Sequence, residues 1–112
     1  METIRWQDFV RVDIRVGRIV SAEVFAAARK PAYVLRVDFG PEIGERTSSA
    51  QITGRYRPEE LVGRLVVGVV NLPEKRIGPL CSGCLITGFP DDNGEVVLCV
   101  PDKPVQPGAR LF

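Results

Sequence analysis

The chain predicts an all-β fold, a small closed barrel of five short strands with short helices and terminal extensions. Three observations carry this. Apolar residues alternate with polar ones, or run together briefly, in short stretches divided by turns rich in Gly, Pro and Asn. One clear helix signal falls between the third and fourth of those stretches. The last two stretches are joined through Asn93-Gly94, a strong hairpin turn signal.

Taken in order, Thr3 to Phe9 suits a short helix whose Ile4 and Trp6 pack on the body. Residues 12–24 form the first strand, with Val12, Ile14 and Val16 on one face and Ile19 on the other. Gly17 in its middle predicts a bend or bulge. Arg29-Lys30-Pro31 breaks the chain before a half-buried strand at 33–39, where Tyr33, Leu35, Val37 and Phe39 share a face. Pro41-Glu42-Ile43-Gly44 turns into a third strand, 46–52, that is polar and rich in hydroxyls. Arg57-Pro58-Glu59-Glu60-Leu61-Val62-Gly63 predicts about one helical turn, with proline first, carboxylates at the positive end of the dipole and glycine last. Strand four is Leu65 to Val70, then a long loop at 71–83, then strands at 84–89 and 95–100 around the Asn-Gly turn. The proline-rich tail from Pro101 reads as an extended segment on the surface. A helix between strands three and four is the connectivity of the five-stranded OB-fold barrel, whose open strand face and loops bind oligonucleotides.

A length of 112 residues predicts one domain, with 1–11 and 101–112 as extensions. No apolar run approaches the ~20 residues that cross a bilayer, so no membrane insertion is expected. The first eight residues carry charges where a signal peptide needs an apolar segment, and a cytoplasmic location follows as the expectation. Net charge is only +1, which argues against binding nucleic acid by bulk charge alone. The distribution is uneven, however. Residues 29–76 hold nine cations against six anions, while residues 77–112 hold two against four. Twelve of the fifteen cations are arginine, whose planar fork suits phosphate and base stacking. A composition bias towards arginine would give the same count.

Catalysis has little to work with. Cys81-Ser82-Gly83-Cys84 has the spacing of half a zinc site or a redox pair, but only Cys99 remains and histidine is absent. A redox centre of the thioredoxin kind needs a helix after the pair, and no helical pattern follows Cys84. Small residues beside a strand start explain the same four letters. Without histidine the usual general base near neutral pH is missing too. The sequence therefore predicts no enzyme, no cofactor and no metal.

The loop at 71–83 is the most informative stretch, because it sets an amide, two adjacent cations and a hydroxyl after a buried strand. A solvated connector is the plain alternative. Together, Asp13-Ile14-Arg15-Val16-Gly17, Ser48-Ser49-Ala50-Gln51-Ile52, and Val69-Val70-Asn71-Leu72-Pro73 with Lys75-Arg76-Ile77 resemble the stand-alone tRNA-binding-domain proteins, most closely the CsaA type of export-related chaperone. That resemblance implies an OB-fold homodimer whose partners are tRNA and unfolded or precursor proteins. It assigns RNA contact to Asn71, Lys75, Arg76 and Ser82, to Arg29 and Lys30 before strand two, and to Arg55 and Arg57 before the short helix. Cys84-Leu85, where the tRNA-binding branch tends to have Gly-Met, departs from the pattern.

Two binding mechanisms follow. In the first, Arg29, Lys30, Arg36, Arg55, Arg57, Lys75 and Arg76 neutralise phosphates, while Ser48, Ser49, Gln51, Asn71 and Ser82 hydrogen-bond ribose and base edges. In the second, the chain is a polypeptide-binding chaperone without a physiological RNA role, with apolar grooves near Phe25, Leu72 and Leu80. For dimerisation, Trp6 with Phe9 and the C-terminal Leu111-Phe112 are the apolar groups available.

Overall fold

The computed structural model describes residues 1–112. Its longest strand, β1 (Ile14–Val24), takes two partners in succession. Residues 14–18 pair antiparallel with β4 (Leu65–Val69), and residues 18–24 pair antiparallel with β2 (Tyr33–Asp38). On its far side β2 pairs with β3 (Glu45–Ala50), and β4 pairs with the short β7 (Leu85–Ile86). The resulting five-stranded sheet, in the order β3-β2-β1-β4-β7, curls until its ends nearly meet. There the Gly83 N–H donates to the Thr47 carbonyl at 2.8 Å, and the Arg46 Nη1 donates to the carbonyls of Val70 and Gly83 at 3.3 and 3.2 Å. This is the expected OB-fold barrel, nearly closed.

The irregularity expected at Gly17 lies elsewhere. Register shifts between Ile19 and Ser21, whereas Gly17 sits opposite Val66 in unbroken pairing. A one-residue slip exchanges the faces of a strand. That is how Ile19, fully buried, and Ala22, partly buried, both reach the same core. Glycine is needed at position 17 for space. A Cβ there would lie 2.5 Å from Val37 Cγ1 and 2.8 Å from the Phe39 ring, and one at Gly68 would lie 2.9 Å from Phe39 Cζ. The Phe39 ring thus rests on two adjacent strands stripped of side chains.

Around Phe39 the core gathers Ile19, Leu35, Val37, Leu61 and Val66, none of them exposed. Burial of such a side chain contributes about 1.5–3 kcal/mol relative to leaving it in water. Leu61 comes from α3 (Pro58–Leu61), the predicted single turn, whose Glu60 carboxylate accepts the Arg57 N–H at 3.1 Å. Two tyrosines tie this end together. The Tyr33 hydroxyl donates to the Tyr56 carbonyl at 2.7 Å, and the Tyr56 hydroxyl accepts the N–H of Leu98 at 3.0 Å. Leu98 lies on β9 (Val96–Leu98), paired with β8 (Gly88–Pro90) across the expected Asn-Gly turn.

Other elements differ from expectation in extent. The N-terminal helix, α1 (Trp6–Val10), begins later than Thr3 because Asp8 accepts the Arg5 N–H and so caps it there. The turn after β2 closes into a helical turn, α2 (Gly40–Ile43). The stretch 84–89 breaks at Thr87, whose N–H and hydroxyl both bond the Val67 carbonyl, at 3.0 and 2.7 Å. The loop at 71–83 contains a small ribbon, β5 (Lys75–Ile77) paired with β6 (Leu80–Ser82), turning at Gly78 where φ is +58°. The tail lies along the first half of β1, an edge that β2 leaves open. Val16 bonds Ala109 and Gly108 at 2.9 and 2.7 Å, and Leu111 bonds Ile14 at 2.8 Å. Beneath it Arg15 is 9% exposed, donating to Asp13 at 2.6 Å and to the Gly108 carbonyl at 3.0 Å. The Arg15 guanidinium holds the Asp13 carboxyl below its ordinary range.

Substituting Gly17→Ala forces a methyl into Val37 and Phe39, and overpacking of this kind costs about 1–3 kcal/mol. Urea unfolding monitored by circular dichroism should show a lower midpoint with an unchanged slope.

Candidate nucleic-acid interface

Three pieces of chain meet beside the end of β3. The first is the connector from β1 to β2, closed by a bond from the Phe25 N–H to the Ala32 carbonyl at 2.9 Å. Buried Phe25 anchors it, which removes that residue from the apolar groove assigned to it by sequence. Arg29 and Lys30 stand exposed on this connector. The second piece is β5, which presents exposed Lys75 and Arg76. The third is the run from Ser49 to Gln51. Between them lies a cleft of about 690 Å³, lined by Arg29, Lys30, Lys75, Arg76, Ser49 and Gln51 among others, with no acidic residue in its wall.

A smaller recess of about 250 Å³ adjoins it, shares Ser49, Gln51, Lys75 and Ile77, and extends to Ser48, Leu72, Ser82 and Leu85. Ser82 donates to the Cys84 carbonyl at 3.3 Å. Five of the nine predicted residues therefore border one continuous groove: Arg29, Lys30, Lys75, Arg76 and Ser82. Four cations held together with no carboxylate lining the groove form a site of positive potential, and concave walls strengthen such a field.

The other four stand apart. Arg36 projects from β2, ion-paired with Glu45 at 3.2 Å. Arg55 binds Asp91 through Nε at 2.7 Å, and this contact holds the Asp91 carboxyl below its usual range and braces the β8–β9 turn. Arg57 is exposed beside α3, 3.7 Å from Glu59. Asn71 spends its amide on the backbone, accepting the Asp13 N–H at 2.9 Å and donating to the Arg11 carbonyl at 2.7 Å. It fastens the entry to β1 onto the exit of β4.

Arg46 was not singled out from sequence. Its signal was available: it shares strand parity with inward-facing Ser48 and Ala50, where an arginine needs a partner. It binds Val70 and Gly83, the two roots of the excursion carrying β5 and β6, and so sets that ribbon against β3. The cysteines also divide. Cys81 is exposed on β6 and accepts from Arg76 Nη1 at 3.2 Å, whereas Cys84 is buried and its thiol is pushed up to about 11.

The barrel and its cationic groove define a small OB-fold domain, the class whose loops and open strand face bind oligonucleotides. The chain belongs to the tRNA-binding domain family: the family model described as "Putative tRNA binding domain" matches residues 14–110. The solved structure of chaperone CsaA from Bacillus anthracis str. Ames superposes with a TM-score of 0.92 at 41% identity, covering 99% of this chain and 100% of the other. The CsaA chaperone protein of Picrophilus torridus gives 0.91 at 41% identity over 98% and 100%. Methionine–tRNA ligase of Pyrococcus horikoshii is 38% identical over 99% of this chain, which spans only 15% of that enzyme's length.

Burial disfavours the Cys84 thiolate, the form that reacts with alkylating agents. In a Cys99→Ser background, iodoacetamide at pH 8 should label Cys81 alone. Labelling of Cys84 should appear only as pH rises towards about 11 or on unfolding, as read by peptide mass spectrometry.

Proposed function

We propose that this chain is a non-catalytic, homodimeric, cytoplasmic OB-fold protein that binds tRNA and acts as an export-related chaperone. Residues 1–112 serve as a single binding domain, with the termini as extensions. The observation that carries the RNA reading is the groove: Arg29, Lys30, Lys75 and Arg76 share one wall with no acid in it, in a chain of the tRNA-binding domain family. Ser82 supplies a hydroxyl inside the groove and Asn71 holds the loop root, while Arg36, Arg55 and Arg57 stay outside it, each beside a carboxylate. The chaperone role draws support from the CsaA neighbours and from Leu72 and Leu85, about half exposed beside the cations. Those two residues are also what favours the second reading, a polypeptide-binding chaperone with no physiological RNA role.

Dimerisation draws support from the chain ends. Trp6, Val10, Val12, Leu111 and Phe112 are exposed in one apolar patch around a hollow of about 490 Å³, with the Trp6 and Phe9 rings 5.2 Å apart. Patches of this kind mark interaction sites.

Mobility shift of tRNA at several salt concentrations tests the RNA reading. Affinity should fall with a log–log slope of about −0.7 to −0.9 per phosphate neutralised, and Lys75→Ala with Arg76→Ala should flatten that slope by roughly 1.5. A salt-independent shift would sink it. Light scattering should return about twice the 12.3 kDa chain mass, and the monomer mass would remove the dimer.

A further inference from the structure

The two halves of the groove differ in chemistry. The outer half carries the four cations. The inner recess has no arginine: Leu72, Ile77 and Leu85 give it apolar surface, while Ser49, Ser82 and Gln51 bring hydroxyls and an amide. Its volume of about 250 Å³ falls below the ~300–1,000 Å³ usual for small-molecule pockets. A single flat ring system fits within that volume, and a base held paired and stacked inside a duplex does not reach it. A nucleobase asks for this combination of apolar contact on its faces and donors or acceptors at its edge. Gln51 supplies both donor and acceptor, and it is exposed at the junction of the two halves. Lys75 borders both halves, where the phosphate next to a seated base would pass.

We infer that the recess takes one unpaired nucleobase while its flanking phosphates lie along Arg29, Lys30, Lys75 and Arg76. RNA then enters as a single strand or with a nucleotide turned out of its helix, and a continuous duplex meets only the outer half. This inference rests on the RNA reading above. The charge of the groove favours a nucleotide over an apolar side chain of a polypeptide as occupant. With no acid among the residues lining either half, the ligand must bring the negative charge. A nucleotide brings one with every residue, whereas a polypeptide must have carboxylates at matching positions.

Fluorescence anisotropy on the full chain separates these cases, using a short labelled RNA strand, the same strand annealed to its complement, and the same strand carrying abasic sites. At matched salt the intact single strand should bind about tenfold more tightly than the other two, as expected when one base loses its apolar contact with Leu72, Ile77 and Leu85. Leu72→Ser combined with Leu85→Ser, both half-exposed and bordering the inner recess alone, should abolish that advantage and leave duplex affinity and salt slope as they were. Lys75→Ala should weaken all three ligands. Equal binding of single strand and duplex, or no effect of the recess variant, overturns the inference while leaving the RNA reading intact. If the recess variant instead loses an unfolded acidic peptide and keeps its single-strand preference, the recess belongs to polypeptide and the inference fails. Absence of binding to every RNA would sink the RNA reading itself.

Discussion

One strand has to serve two neighbours, and the rest of the molecule follows from how β1 does so. Its first half completes a ladder with β4 and its second half with β2. A flat strand cannot curl a sheet this small onto itself, so the change of partner needs a local increase in twist. The register shift between Ile19 and Ser21 supplies it. The same shift turns alternate residues inward on either side of it, which allows a single core around Phe39. Remove the side-chain-free patch at Gly17 and Gly68, and that ring has no floor to rest on.

Closure of the barrel and placement of the groove are one event. The sheet's ends meet where Arg46 reaches from β3 to Val70 and Gly83, and these two carbonyls bracket the segment bearing Lys75 and Arg76. The guanidinium that seals the barrel therefore also aims the ribbon. On the other flank, the connector carrying Arg29 and Lys30 is held by buried Phe25 and by its own turn bonds. Four like charges brought together repel one another in the empty protein. A polyanion relieves that repulsion, which gives the groove a preference for its partner beyond any single contact. The tail contributes differently, laying its backbone on the open half of β1 over the Arg15–Asp13 pair and bringing Leu111 and Phe112 to the apolar residues of α1.

Much of this was legible from the amino acids. Period-two alternation marked β2, proline and paired glutamates marked α3, and Asn93-Gly94 marked the last hairpin, because each depends on neighbours within a few residues. The ribbon inside 71–83 was not legible: its strands are three residues each, too short for a period to register. The bulge was expected at the wrong residue, since glycine signals both backbone freedom and missing bulk, and at Gly17 the second applied. Among the site residues, charge alone drew in Arg36 and the resemblance drew in Arg55, but their carboxylate partners Glu45 and Asp91 come from a different strand or from the far hairpin.

Composition and local pattern by themselves determined a small β-barrel with one helical turn in the OB position, and a run of the chain rich in cations. Which of those cations act together, and which are tied to acids, was decided only by tertiary structure. Local pattern reports on contacts a few residues apart. The groove joins residues 29–30, 49–51 and 75–76, and only the curl of the sheet that starts in β1 and ends at Arg46 makes them neighbours.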